Sequence, residues 1–113
     1  MSSSEAKYVM YIVVNNEIGM NKGEIGAQIS HVTHKIIKEV VKNSYESKPT
    51  KEILAYMKWD CDPITIILRA TTSELEELIK HEHAREFRDY GDKLTVVGFY
   101  PGAIVDMSQF KLL

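Results

Sequence analysis

Tyr8-Val9-Met10-Tyr11-Ile12-Val13-Val14 is a short, almost wholly apolar run rich in β-branched and aromatic residues. That is the pattern of a strand covered on both faces, so the sheet it belongs to needs a layer on each side. The run follows Lys7 and is broken by Asn15-Asn16. Glu17-Ile18-Gly19-Met20-Asn21-Lys22-Gly23 then forms a connection holding two glycines, the kind of loop in which α/β proteins place their chemistry. A helix is expected from about Glu24 to Lys42, because Ile25, Ile29, Val32, Ile36 and Val40 recur at helical steps. Gln28, His31, Lys35, Lys38 and Lys42 make a second, polar stripe along it.

Asn43 to Pro49 reads as a turn-forming linker, after which Thr50 caps a short helix carrying Ile53, Leu54 and Met57 as far as Trp59. Ile64 to Ala70 is a second strand of the buried type. Thr72 or Ser73 opens a third helix with Leu75, Leu78 and Ile79 on its apolar face, ending around Glu86 to Arg88 in a short extended piece with Phe87 inward. Asp89-Tyr90-Gly91-Asp92-Lys93 is a tight turn. Leu94 to Tyr100 is a further strand stopped by Pro101-Gly102, and the tail to Leu113 is an irregular cover. This order predicts an α/β fold, a three-layer α/β/α sandwich around a small mixed sheet of about four strands. One domain is expected over residues 7–113, preceded by a disordered polar stretch over residues 1–6.

A length of 113 residues suits one domain, and 44% hydrophobic residues suffice for a core. Fourteen Lys and Arg against 16 Asp and Glu give a net charge of −2, which argues against a broad electrostatic wrap of nucleic acid but leaves room for a local basic site. The single Cys61 cannot pair within the chain, no apolar run is long enough to span a membrane, and Met1-Ser2-Ser3-Ser4-Glu5 lacks signal-peptide character. A cytoplasmic protein is expected.

The glycine-containing connection followed by a helix N-terminus favours an anion, with Lys22 adding a full charge. The same pattern also suits an ordinary turn with a solvated lysine. Lys35, Lys38, Lys42 and Lys48 form a basic strip that is either a solvated face or a phosphate track. His81-Glu82-His83 lacks the spacing of a zinc helix and reads as a solvated helix end, and His31 with His34 has no acidic or Cys partner to complete a metal site. No metal and no cofactor are expected. Trp59 reads as core, and Cys61 as structural or a bystander.

Lys7 through His31, with Met20-Asn21-Lys22-Gly23-Glu24-Ile25-Gly26-Ala27-Gln28-Ile29-Ser30-His31 at its centre, resembles the start of the peptidyl-tRNA hydrolase 2 family, the archaeal and eukaryotic type. The resemblance continues through Trp59, the Ile64 to Ala70 strand, Ser73-Glu74-Leu75, Asp89-Tyr90-Gly91 and Val96 to Pro101, so it covers nearly the whole chain. It implies metal-free hydrolysis of the ester joining a peptide to tRNA, with peptidyl-tRNA as partner and a homodimer as the assembly. It places Lys22 and Asp89 in catalytic roles, gives His31 either a catalytic or a supporting hydrogen-bonding role, and sets Gly23, Gln28 and Lys35 in contact with substrate; Lys93 is expected to contact substrate from the space left by the shortened loop after Gly91. The sequence also departs from the family pattern: Glu17 stands for the family's acidic loop residue, Glu24 for a lysine, and the loop after Gly91 is shortened. The family's active-site threonine lies in that loop and has no counterpart, since Thr95 belongs to the following strand. A family member that binds tRNA or protein without turnover is the alternative reading.

Overall fold

The structure is a computed structural model and describes residues 8–46 and 50–113. The expected polar stretch over residues 1–6, Lys7 and Lys48 lie outside the described residues. In chain order the elements are β1 (Val9–Asn15), α1 (Lys22–Glu46), α2 (Lys51–Cys61), β2 (Ile64–Ala70), α3 (Thr72–Leu78), β3 (Ala84–Asp89), β4 (Lys93–Phe99) and β5 (Lys111–Leu112). They form one mixed sheet in the order β3-β4-β1-β2-β5. β1 and β2 run parallel from Val9 opposite Ile64 to Asn15 opposite Ala70, while β4 is antiparallel to both β1 and β3.

The expected three layers are present, because both faces of the central strands are apolar. Met10, Ile12, Val14 and Val96 pack against Val32, Ile36 and Val40 of α1 and Ile53 and Trp59 of α2. On the other face Val13, Leu68, Val97 and Phe99 pack against Leu75 of α3 and Met107 of the tail. Trp59 is core, as expected, and its indole N–H donates to the Ile64 carbonyl at 2.9 Å. Gly98 lets α1 come close to β4: a Cβ there would stand 2.9 Å from Ile36 Cδ1 and 3.1 Å from Val32 Cγ2.

Several boundaries differ from the expectation, each for a local reason. α1 starts at Lys22 rather than Glu24, because Asn21 and Glu24 cap each other reciprocally. It also continues through Asn43 to Glu46, which are helical rather than a linker. α3 ends at Leu78, since no apolar residue follows Ile79 at helical spacing and residues 84 to 89 find a partner in β4 instead. His81 and His83 therefore sit in a turn, not at a helix end. His81 Nδ1 accepts the His83 N–H at 3.0 Å and its ring meets Phe99 edge-on. The sheet has five strands rather than about four: Lys111–Leu112 pairs with β2 at Arg69 and Leu68, and two exposed residues carry no burial pattern that would reveal it.

The ladder between β3 and β4 is irregular at one point. Phe87 pairs with Val96, but Arg88 pairs with Leu94. Thr95 is the extra residue of a β-bulge, a feature that turns a side chain off the regular alternation.

Gly98→Ala is expected to lower the unfolding free energy by about 1–3 kcal/mol, because the methyl group has to displace two core side chains. Urea denaturation measures it; an unchanged midpoint contradicts the close approach of α1 to β4.

Candidate active site

α1 runs antiparallel to β3 and meets it residue by residue. Gln28 Nε2 donates to Asp89 Oδ2 at 3.0 Å, the His31 ring stacks on Phe87 at 4.9 Å, Lys35 Nζ donates to the Glu86 carbonyl at 2.8 Å, and Arg85 Nε donates to Glu39 Oε1 at 3.0 Å. Helical steps of three and four keep Gln28, His31, Lys35 and Glu39 on one face. The polar stripe is thus directed at the edge strand. Lys38 and Lys42 stay exposed. Lys35 and Arg85 also cover carbonyls of that edge, Arg85 Nη1 donating to the Ala84 oxygen at 2.8 Å, which discourages pairing with another strand.

The bulge brings Thr95 into this line. Regular alternation would place Thr95 with Val97 and Phe99 on the α3 side; the extra residue turns it toward α1. There its hydroxyl lies 2.7 Å from Gln28 Oε1 and 3.1 Å from the Phe87 carbonyl. Gln28 and Thr95 are fully buried, at 1% and 0% exposure, so their polar atoms have to satisfy one another. The network has one consistent polarity. The Asp89 carboxylate only accepts, so the Gln28 NH2 faces it, the Gln28 oxygen faces Thr95, and the Thr95 hydroxyl donates.

Asp89 is the exposed member of this line. Its second oxygen, Oδ1, accepts the Tyr90 N–H at 2.8 Å. That geometry comes from a three-residue turn in which Tyr90, Gly91 and Asp92 all have positive φ, at 51°, 79° and 71°. Glycine tolerates this, aspartate does so at modest cost, and tyrosine rarely adopts it. The Gln28 amide, then the Tyr90 N–H and the nearby His31, hold the Asp89 carboxyl below its ordinary value. Because it titrates lower folded than unfolded, its ionised form adds stability that persists above the unfolded value and fades as pH falls through the folded one. The Tyr90 phenol is held above its ordinary value, chiefly by desolvation, with Glu24 adding to the effect.

Lys22 is the first residue of α1, exposed and without an ion pair among the described residues. Gly23 lies within the first helical turn, and the positive φ of the connection falls on Gly19 instead, at 69°. Lys93 is the cross-strand partner of Asp89 and is exposed. The structure therefore joins Gln28, Asp89 and His31, sets Lys93 opposite Asp89, and leaves Lys22 and Gly23 at the start of α1. Glu24, in place of a lysine, closes the helix cap. A cavity of about 700 Å³ lies at the other end of the sheet, lined by Tyr8, Ala55, His83 and Ile104 among others. Asp89 does not line it, and the hydrogen-bonded carboxylate marks the candidate site more specifically than volume does.

Thr95 and Asn15 are not among the site residues expected from sequence. The available signal is a hydroxyl flanked by apolar residues in a strand of the buried type, a group that needs a partner.

A family model described as Peptidyl-tRNA hydrolase PTH2 matches residues 8–107. No match is found among curated proteins.

Thr95→Val removes the hydroxyl at nearly constant shape and leaves the buried Gln28 oxygen without a donor, at an expected cost of about 1–3 kcal/mol. A double-mutant cycle with Gln28→Leu is expected to give a coupling of about 1 kcal/mol in denaturation. Strict additivity contradicts the pairing.

Proposed function

This chain belongs to the peptidyl-tRNA hydrolase PTH2 family, and we propose that it hydrolyses the ester between a peptide and the 3′ end of tRNA, releasing tRNA from aborted translation. The observation that carries this reading is the family match across residues 8–107. The exposed, ionised Asp89 supports the chemistry that the reading requires.

Asp89 accepts a hydrogen bond from water and takes up its proton as the water oxygen bonds to the ester carbonyl carbon. The bond from that carbon to the tRNA oxygen then breaks, and the proton passes to the departing 3′ oxygen. Gln28 holds the carboxylate in place. Lys22 stabilises the developing oxyanion or holds a phosphate, and the N–H groups at the start of α1, including that of Gly23, add to the same field. His31 stands beside Asp89 as a second polar group. Lys93, opposite Asp89 across the strands, and Lys35, which reaches the Glu86 carbonyl farther along β3, are exposed cations that suit phosphate contacts. Thr95, fully buried, acts through Gln28 and does not touch substrate. A net charge of −2 fits recognition of one tRNA end by these few cations. The proposed setting is the cytoplasm, with one domain over residues 7–113, working as a homodimer without metal or cofactor.

The purified protein is expected to release N-acetylated aminoacyl groups from tRNA. Lys22→Ala and Asp89→Asn are each expected to lower kcat/KM by about 100-fold or more. Absence of release by folded protein at high concentration overturns the reading. Salt-dependent tRNA binding in that case identifies a binding module that lacks turnover. Sedimentation at micromolar concentration is expected to show a dimer, and a species at the monomer mass contradicts the assembly.

A further inference from the structure

We propose that Asn15 is a positioning residue for the reaction at Asp89: it holds the β4 bulge from the α3 side of the sheet, and thereby sets the Gln28 amide on which the carboxylate depends. The proposal rests on the reading of Asp89 as the catalytic carboxylate.

Asn15 is the last residue of β1 and only 3% exposed. The ladder between β1 and β4 runs through Ile12 and Gly98, Val13 and Val97, and Val14 and Val96, and there it stops. One more regular step would set Asn15 opposite Thr95. The bulge prevents that step and leaves the Leu94 carbonyl without a ladder partner on this side. Asn15 Nδ2 supplies the missing donor, at 2.8 Å from Leu94 O. Its second amide proton goes to Thr72 Oγ1 at 2.8 Å, and its Oδ1 accepts the Glu17 N–H at 2.8 Å. Glu17 Oε1 in turn accepts the Thr72 N–H at 2.7 Å. Both donors and one acceptor site of the buried amide are therefore used.

The placement gives this amide a role beyond filling space. Leu94 immediately precedes Thr95, and the two are held from opposite faces of the sheet: Leu94 by Asn15 on the α3 side, Thr95 by Gln28 on the α1 side. Glu17 begins the connection that leads to Lys22. A single carboxamide thus ties the start of that connection to the strand that carries the bulge and follows the Asp89 turn. Aspartate at this position keeps an oxygen for the Glu17 N–H but sets a second oxygen against the Leu94 carbonyl. It therefore breaks the link to the bulge, while the Thr72 hydroxyl, a donor as well as an acceptor, can turn to donate to that second oxygen.

The test compares Asn15→Asp and Asn15→Ala with wild type, all shown to be folded, in hydrolysis of N-acetylated aminoacyl-tRNA. Both variants are expected to lose about tenfold or more in kcat near neutral pH, with KM held within about threefold. For Asn15→Asp the loss relative to wild type is expected to shrink as pH falls toward about 5, where the introduced carboxyl group protonates and donates to Leu94 O again; for Asn15→Ala it stays constant. A role confined to stability lowers the melting temperature of both variants and leaves kcat of the folded enzyme within about twofold, which overturns the proposal. Should wild type itself show no hydrolysis, the family reading fails separately. The side-chain amide resonances of Gln28 then decide the positioning: a shift on Asn15→Asp, across the sheet from the substitution, supports it, and unmoved resonances overturn it.

Discussion

The hydrogen bond between the Thr95 hydroxyl and the Gln28 side-chain oxygen, 2.7 Å long and closed to solvent, is the constraint on which the rest of the site depends. It exists only because β4 carries an extra residue, which turns a hydroxyl toward α1 that regular alternation would send to the other face. Once the hydroxyl is there, the buried amide has one orientation compatible with an ionised Asp89. The result is a chain of polar groups running from the interior of the sheet to its surface. It ends at a carboxylate that gains two N–H donors without being buried.

That arrangement explains why the edge of the sheet and the longest helix are built together. The α1 stripe Gln28, His31, Lys35 and Glu39 matches β3 residue by residue, so the helix that packs its apolar face on β4 also fixes the edge strand through its polar one. The approach is close because Gly98 leaves room for Ile36 and Val32. Lys22 heads the same helix, and therefore moves as one body with the groups that orient Asp89.

Much of this is legible from the residues. The apolar runs at Tyr8 to Val14 and Ile64 to Ala70 specify strands covered on both sides, and the four-step recurrence from Ile25 to Val40 specifies α1 and its buried face. Gln28, His31 and Asp89 are legible as a group through the family resemblance. Period-two reading does not foresee a bulge, so Thr95 looks like an ordinary strand residue, and Asn15 like a mere break in an apolar run. Both are buried polar residues whose partners lie 67 and 79 positions away in sequence. Local patterns contain no information about such pairings. The extent of α3 escapes the sequence for a related reason: the helical pattern of Leu75 to Ile79 gives way when residues 84 to 89 gain a strand partner. β5 escapes it because its two residues are exposed and need no pattern.

The central claim is that a buried carboxamide, aimed by the Thr95 bulge, orients the Asp89 carboxylate at the surface and holds its titration below the ordinary aspartate value. Titration of the Asp89 side-chain carboxyl carbon by NMR tests it most directly. The expected midpoint lies below that of aspartate in the unfolded chain and rises toward that value in Gln28→Leu. A midpoint at or above the unfolded value in the intact protein, or one unmoved by Gln28→Leu, contradicts it.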